Sequence, residues 1–111
     1  MASTKDYLEY VLELLSDLDN VTYKRMMGEY LLYADGILFG GIYDNRFLIK
    51  KTNSLEYYNL VEEIPYPGAK SMYLIDIENK NEIDEIIYSL LKDLKNKQWF
   101  TSNIQILLNM I

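Results

Sequence analysis

Cysteine and histidine are both missing from this 111-residue chain. Without cysteine there is no disulfide, no thiolate nucleophile and no sulfur-ligated metal. Without histidine the commonest general base and the usual zinc ligand are gone, and with them any Ser-His or Cys-His pair. Most familiar hydrolase mechanisms are excluded on these grounds, leaving carboxylate-only or magnesium chemistry. Proline is scarce, its 2 copies lying in one stretch, Pro65-Tyr66-Pro67-Gly68, which reads as a rigid loop. Long apolar runs are lacking too. None approaches the roughly 20 residues of a membrane span, and the opening Met1-Ala2-Ser3-Thr4-Lys5-Asp6 carries no apolar signal core. The expectation is one cytoplasmic domain over residues 1–111, with no cofactor, no metal and no membrane contact.

Positive charge is also in short supply: 11 Lys and Arg stand against 17 Asp and Glu, a net of −6. That balance works against bulk attraction to DNA or anionic lipid. It is unevenly spread. Residues 24–51 hold Lys24, Arg25, Arg46, Lys50 and Lys51 against Glu29, Asp35 and Asp44, a mildly basic island in an acidic chain. Tyrosine, by contrast, is abundant, with 11 copies against 3 Phe and 1 Trp. Its amphipathic ring suits half-buried sheet positions and contact surfaces.

Ser3 or Thr4 can cap a first helix, and Leu8, Val11, Leu12, Leu15 and Leu18 recur along it at helical spacing. Two hairpin signals follow, Asp35-Gly36 and Asp44-Asn45, whose residues accept positive φ. They predict a three-stranded antiparallel meander: Thr22–Ala34, bent by a bulge at Gly28, then Ile37–Tyr43 and Arg46–Lys51. With two-residue turns, Leu32 faces Phe39, Tyr30 faces Gly41, and Gly41 faces Leu48. Leu31, Tyr33, Leu38, Gly40, Ile42, Phe47 and Ile49 then form a core face. Asn53 with Glu56 opens a short helix, Ser71–Ile77 reads as a strand, and Ile83, Ile86, Ile87, Leu90, Leu91 and Leu94 stripe another helix. The tail from Trp99 fits a helix or an alternating strand, helix being preferred.

Arg25-Met26-Met27-Gly28-Glu29-Tyr30, then Leu32-Tyr33-Ala34-Asp35-Gly36, Phe39, Asp44 and Leu48-Ile49-Lys50, resembles the N-terminal domain of the TfoX/Sxy competence regulators. The resemblance covers about residues 3–95 and leaves the tail, 96–111, outside. Met27 stands where that family usually has Phe, and Glu29 and Leu31 replace common glycines. The resemblance implies an α+β, two-layer, secretion-chaperone-like fold, with a further strand near Tyr66. It also implies a stand-alone regulatory domain, in a family associated with transcriptional activation alongside the cyclic-AMP receptor protein.

No catalytic residue is assigned. Asp35-Gly36 is explained by its turn, Gly40-Gly41 lies mid-strand and not before a helix, and Glu82, Asp84 and Glu85 open a helix where acids are stabilising anyway. The second face of the meander is different. Arg25, Tyr30, Phe39, Tyr43, Arg46 and Lys50 make an aromatic-basic set there, and these six are the candidate partner-binding residues. A non-catalytic protein-binding module is expected, with a protein partner, transcription machinery among the candidates, or a second copy as in a homodimer. Single-stranded nucleic acid, stacked on the aromatics, is the alternative.

Overall fold

The computed structural model describes residues 2–109, with side chains as far as residue 97. Helix α1 spans Lys5–Leu14, and Thr4 caps it by accepting the Tyr7 amide at 3.1 Å. Strands β1 (Val21–Met26), β2 (Glu29–Ala34), β3 (Ile37–Ile42) and β4 (Phe47–Ile49) follow. A short 3-10 helix (Asn53–Tyr58), strands β5 (Glu62–Glu63) and β6 (Met72–Leu74), and the long helix α2 (Lys80–Asn109) complete the chain. The six strands form one antiparallel sheet in the order β1-β2-β3-β4-β6-β5. The architecture is α+β in two layers. The backbone of the tail continues α2 as helix to Asn109.

The expected long first strand is in fact a hairpin. Met27 and Gly28 both take positive φ, +52° and +82°, so the chain reverses there and the meander has four strands. Left-handed backbone is disfavoured for a methionine, which is why Gly28 alone reads as a bulge. The two expected turns form as drawn. Asp35 and Gly36 sit at φ +51° and +78°, and Asp44 and Asn45 at +53° and +54°, as a turn matched to the twist of its strands requires. Tyr43 and Arg46 exchange backbone hydrogen bonds of 3.0 Å across the second turn. The extra strand implied near Tyr66 is β5, a few residues earlier.

The expected register holds between β3 and β4, where Gly41 faces Leu48 and Ile42 faces Phe47. It fails halfway along the β2–β3 hairpin. Tyr33 faces Leu38, but Leu32 faces Gly40 and Tyr30 faces Ile42, so Phe39 is an extra residue, a bulge. The residue after it, Gly40, has a specific job. A Cβ on Gly40 would lie 2.4 Å from the Leu48 carbonyl oxygen, so the bulge closes against β4 only because Gly40 has none. Inserting one residue reverses the phase of the alternation. The core face of β2 is therefore Tyr30, Leu32 and Ala34, not Leu31 and Tyr33, and Phe39 joins it. Ile42, Phe47 and Ile49 are core residues as expected.

One cluster joins this face to Leu8, Val11, Leu14 and Leu15 of α1 and to Ile83, Ile86, Ile87 and Leu90 of α2. Both helices thus lie on the same side of the sheet. Leu48 is fully buried but stands outside that cluster, because alternation turns it to the opposite side beside Gly41 and Leu74. Among the described residues that opposite side is helix-free but for Lys97 of α2, which borders it.

Candidate functional site on the helix-free sheet face

The helix-free face is organised around a pair of tyrosines. Tyr43 follows β3, and its ring lies across the bare backbone of Gly41: a Cβ there would come within 2.7 Å of the Tyr43 Cε2. Tyr66 arrives from the loop between β5 and β6, and the two ring centroids are 6.2 Å apart at 52°. Burial, and then Tyr66 and the Glu29 carboxylate, push the Tyr43 hydroxyl above its ordinary pKa, so it stays a neutral hydrogen-bonding group.

Arg46 sets the position of Tyr66. Its guanidinium pairs with Glu63 at 2.8 Å and donates to the Ile64 and Pro65 carbonyls at 3.2 Å each, while Nε donates to its neighbour's carbonyl at Tyr43. A planar fork with several fixed donors can clamp a loop this way, whereas a lysine's single ammonium cannot. Glu29 performs the matching task at the other end of the face. It receives the N-terminal segment at Ser3 and the β3–β4 turn at Asp44.

Two hollows flank the tyrosines. The first, about 510 Å³, is lined by Met26, Met27, Glu29, Leu31, Tyr43 and Tyr66. Glu29 is its one charged member, and both its oxygens are engaged within the fold. Met27 is 97% exposed, although it sits at a strained turn, and Met26 and Tyr66 are exposed as well. The second hollow, about 800 Å³, has Tyr43 and Tyr66 on one side and Lys50, Lys51, Lys70 and Lys97 around it. Lys51 is paired with Glu62. Among the described residues, Lys50 and Lys70 form no ion pair.

The six candidate residues therefore divide. Tyr43, Arg46 and Lys50 do meet on the helix-free face. Tyr30 and Phe39, at 7% and 0% exposure, are core residues on the other side, so their placement on an open surface is corrected; the bulge at Phe39 is the cause. Arg25 is exposed on the edge strand β1, opposite Tyr30, and so points to the helix side. Sequence reasoning missed Met26, Met27, Leu31, Tyr66 and Lys70. The signal for Tyr66 was an aromatic between two prolines, a ring on a loop with little freedom. Leu31 was hidden by the bulge. Among the described residues no cluster of acidic side chains is arranged to hold a metal, and no helix is long and apolar enough to cross a membrane.

Residues 13–74, which contain the meander, Arg46 and the Tyr66 loop, match the TfoX N-terminal domain. The chain belongs to that family. It is also 37% identical over 78 residues to an uncharacterized 12.7 kDa protein in the trpE 5′ region of Spirochaeta aurantia, the alignment covering 68% of each chain. Within this TfoX N-terminal domain, Ser3 and, beyond Leu74, α2 lie outside the family match, whereas Tyr43, Tyr66, Arg46, Glu29 and the loop that Arg46 holds lie inside it.

Proposed function

We propose that this TfoX N-terminal domain is a non-catalytic regulatory module that binds another protein through its helix-free sheet face. The observation that carries the reading is the distribution of layers. Both helices cover one side of the sheet, and the other keeps Met26, Met27 and Tyr66 in solvent around a half-buried Tyr43. Exposed methionine and tyrosine gathered at one place suit a contact surface: methionine adapts its shape, and tyrosine offers area at low entropic cost. Family membership supports a regulatory role, with gene control in DNA-uptake competence as its specific form. A photo-crosslinking residue at Met27 tests this. It should capture a protein in cells, while the same residue at Tyr88, exposed on α2, should not. Equal capture from both positions, or from neither, would reject the face.

A second reading draws on the lysines beside the same tyrosines: single-stranded nucleic acid could stack on Tyr66 with its phosphates against Lys50 and Lys70. The two readings separate by salt. Affinity for oligo(dT) should fall steeply between low and physiological salt if phosphates carry the binding, and a protein contact built on methionine and tyrosine should change little.

A further inference from the structure

The two hollows have opposite chemistry and share a wall. One is walled by methionine and leucine; its carboxylate, Glu29, is already taken by Ser3 and Asp44, and its remaining polar side-chain groups are the Tyr43 and Tyr66 hydroxyls. The other is ringed by lysines, of which Lys50 and Lys70 are unpaired among the described residues. Tyr43 and Tyr66 border both. Anything lying across the tyrosine pair touches an apolar hollow on one side and a cationic one on the other.

We infer that the occupant is an acidic peptide segment of another protein, with an apolar side chain in the Met26–Leu31 hollow and carboxylates against Lys50 and Lys70. This deepens the proposed function and rests on it. Charge complementarity selects the class: the lysine hollow is a local excess of positive charge on a chain of net −6, so it attracts an anionic segment at short range only. Chemistry then favours carboxylates over a nucleic-acid backbone. The guanidinium of Arg46, the group best suited to phosphate, is consumed by Glu63 and two carbonyls. The neighbouring hollow, walled by Met26, Met27 and Leu31, offers the polar edge of a base little beyond the two tyrosine hydroxyls. A leucine, methionine or phenylalanine side chain suits a hollow walled by Met26, Met27 and Leu31.

The test is selection of a random peptide library of about a dozen residues, displayed on phage, against the full chain. Enriched sequences should combine Asp or Glu with a large apolar residue and carry net negative charge. A synthetic enriched peptide, titrated by fluorescence anisotropy, should lose about tenfold in affinity against the Lys50→Glu, Lys70→Glu double variant. Its Lys-for-Glu version should recover affinity for that same variant. Replacing the apolar residue of the peptide by Ser should weaken binding to the unaltered chain by a similar factor. Circular dichroism of the double variant should be unchanged. Net basic or wholly apolar selections would overturn the inference, as would binding indifferent to the lysine variant. So would oligo(dT) binding more tightly than any selected peptide at about 0.15 M salt, or a doubled mass in light scattering that the lysine variant abolishes. The broader proposal fails separately, on the Met27 crosslink. Capture there together with basic selections would sink the acidic segment and leave the face standing.

Discussion

Glu29 holds Ser3 with a single carboxylate oxygen: Oε1 accepts the Ser3 amide at 2.8 Å and its hydroxyl at 2.7 Å. The other oxygen, Oε2, accepts the Asp44 amide at 2.8 Å. Ser3 in turn receives the Asn45 amide at 3.0 Å, and Thr4 donates its own amide to the Asn45 side chain at 2.9 Å. One acid at the start of β2 thereby joins the segment before α1 to the β3–β4 turn. Ser3 is the one buried polar residue among the described side chains, and this network is what satisfies it.

Glu29→Ala should accordingly cost about 2 kcal/mol, the scale of hydrogen bonds to a charged group plus donors left part-buried without partners. Urea unfolding measures it as a lower midpoint at unchanged slope. Ser3→Ala should be non-additive with it, because the two changes remove the same contacts. Independent, additive losses would show that the network does not act as a unit.

Phe39→Ala separates core from contact surface. Phe39 is fully buried in the bulge, so its truncation should destabilise by about 3–5 kcal/mol. Tyr66→Ser, at an exposed ring, should change stability by about 1 kcal/mol or less. Comparable thermal melts for the two variants would mean that the bulge does not bury Phe39.

Met27→Asn should stabilise the domain, since asparagine tolerates the left-handed backbone that Met27 occupies at φ +52°. The gain expected is about 0.5–1 kcal/mol, read from the denaturant midpoint. The same change removes an exposed apolar side chain from the rim of the methionine hollow. It should therefore weaken capture of the partner while raising stability, the trade expected where strain is kept at a working surface.

Alkaline pH should unfold the domain through its tyrosines. Burial is the leading cause that raises the hydroxyl pKa of Tyr7, Tyr43 and Tyr58 above the ordinary value. In the unfolded chain these phenols ionise near pH 10, whereas the folded protein holds their protons to higher pH. Stability is thus fully present below about pH 10 and is lost as pH rises from there through the folded values. Urea midpoints should be level from about pH 8 to 9.5 and fall above it, with tyrosinate absorbance rising late in the native protein. A midpoint that stays level past pH 11 would contradict this.

Local chemistry settled much of the fold in advance. The apolar spacing of Leu8, Val11 and Leu15, and of Ile83, Ile86, Ile87 and Leu90, defines helices whose buried stripes are those residues. Asp35-Gly36 and Asp44-Asn45 define two hairpin turns, because few residue pairs accept two consecutive positive φ values. These features depend on neighbours in sequence, and so they are legible there. The turn at Met27-Gly28 and the bulge at Phe39 are not of that kind. Nothing about Met27 favours a left-handed backbone, and Phe39-Gly40 would continue a regular strand as readily as interrupt it. Each is imposed from a distance: Ser3 donates to the Gly28 carbonyl at 3.0 Å and Lys50 to the Phe39 carbonyl at 2.9 Å. That one displaced residue decided which side of β2 faces the helices, and hence that Tyr30 and Phe39 are core while Leu31 is surface. The working face follows the same division. The chemical types, tyrosine and lysine around residues 43–50, were written in the sequence, but their partner Tyr66 was brought in by a clamp, Arg46 on Glu63, Ile64 and Pro65, that forms only when strands distant in sequence pair.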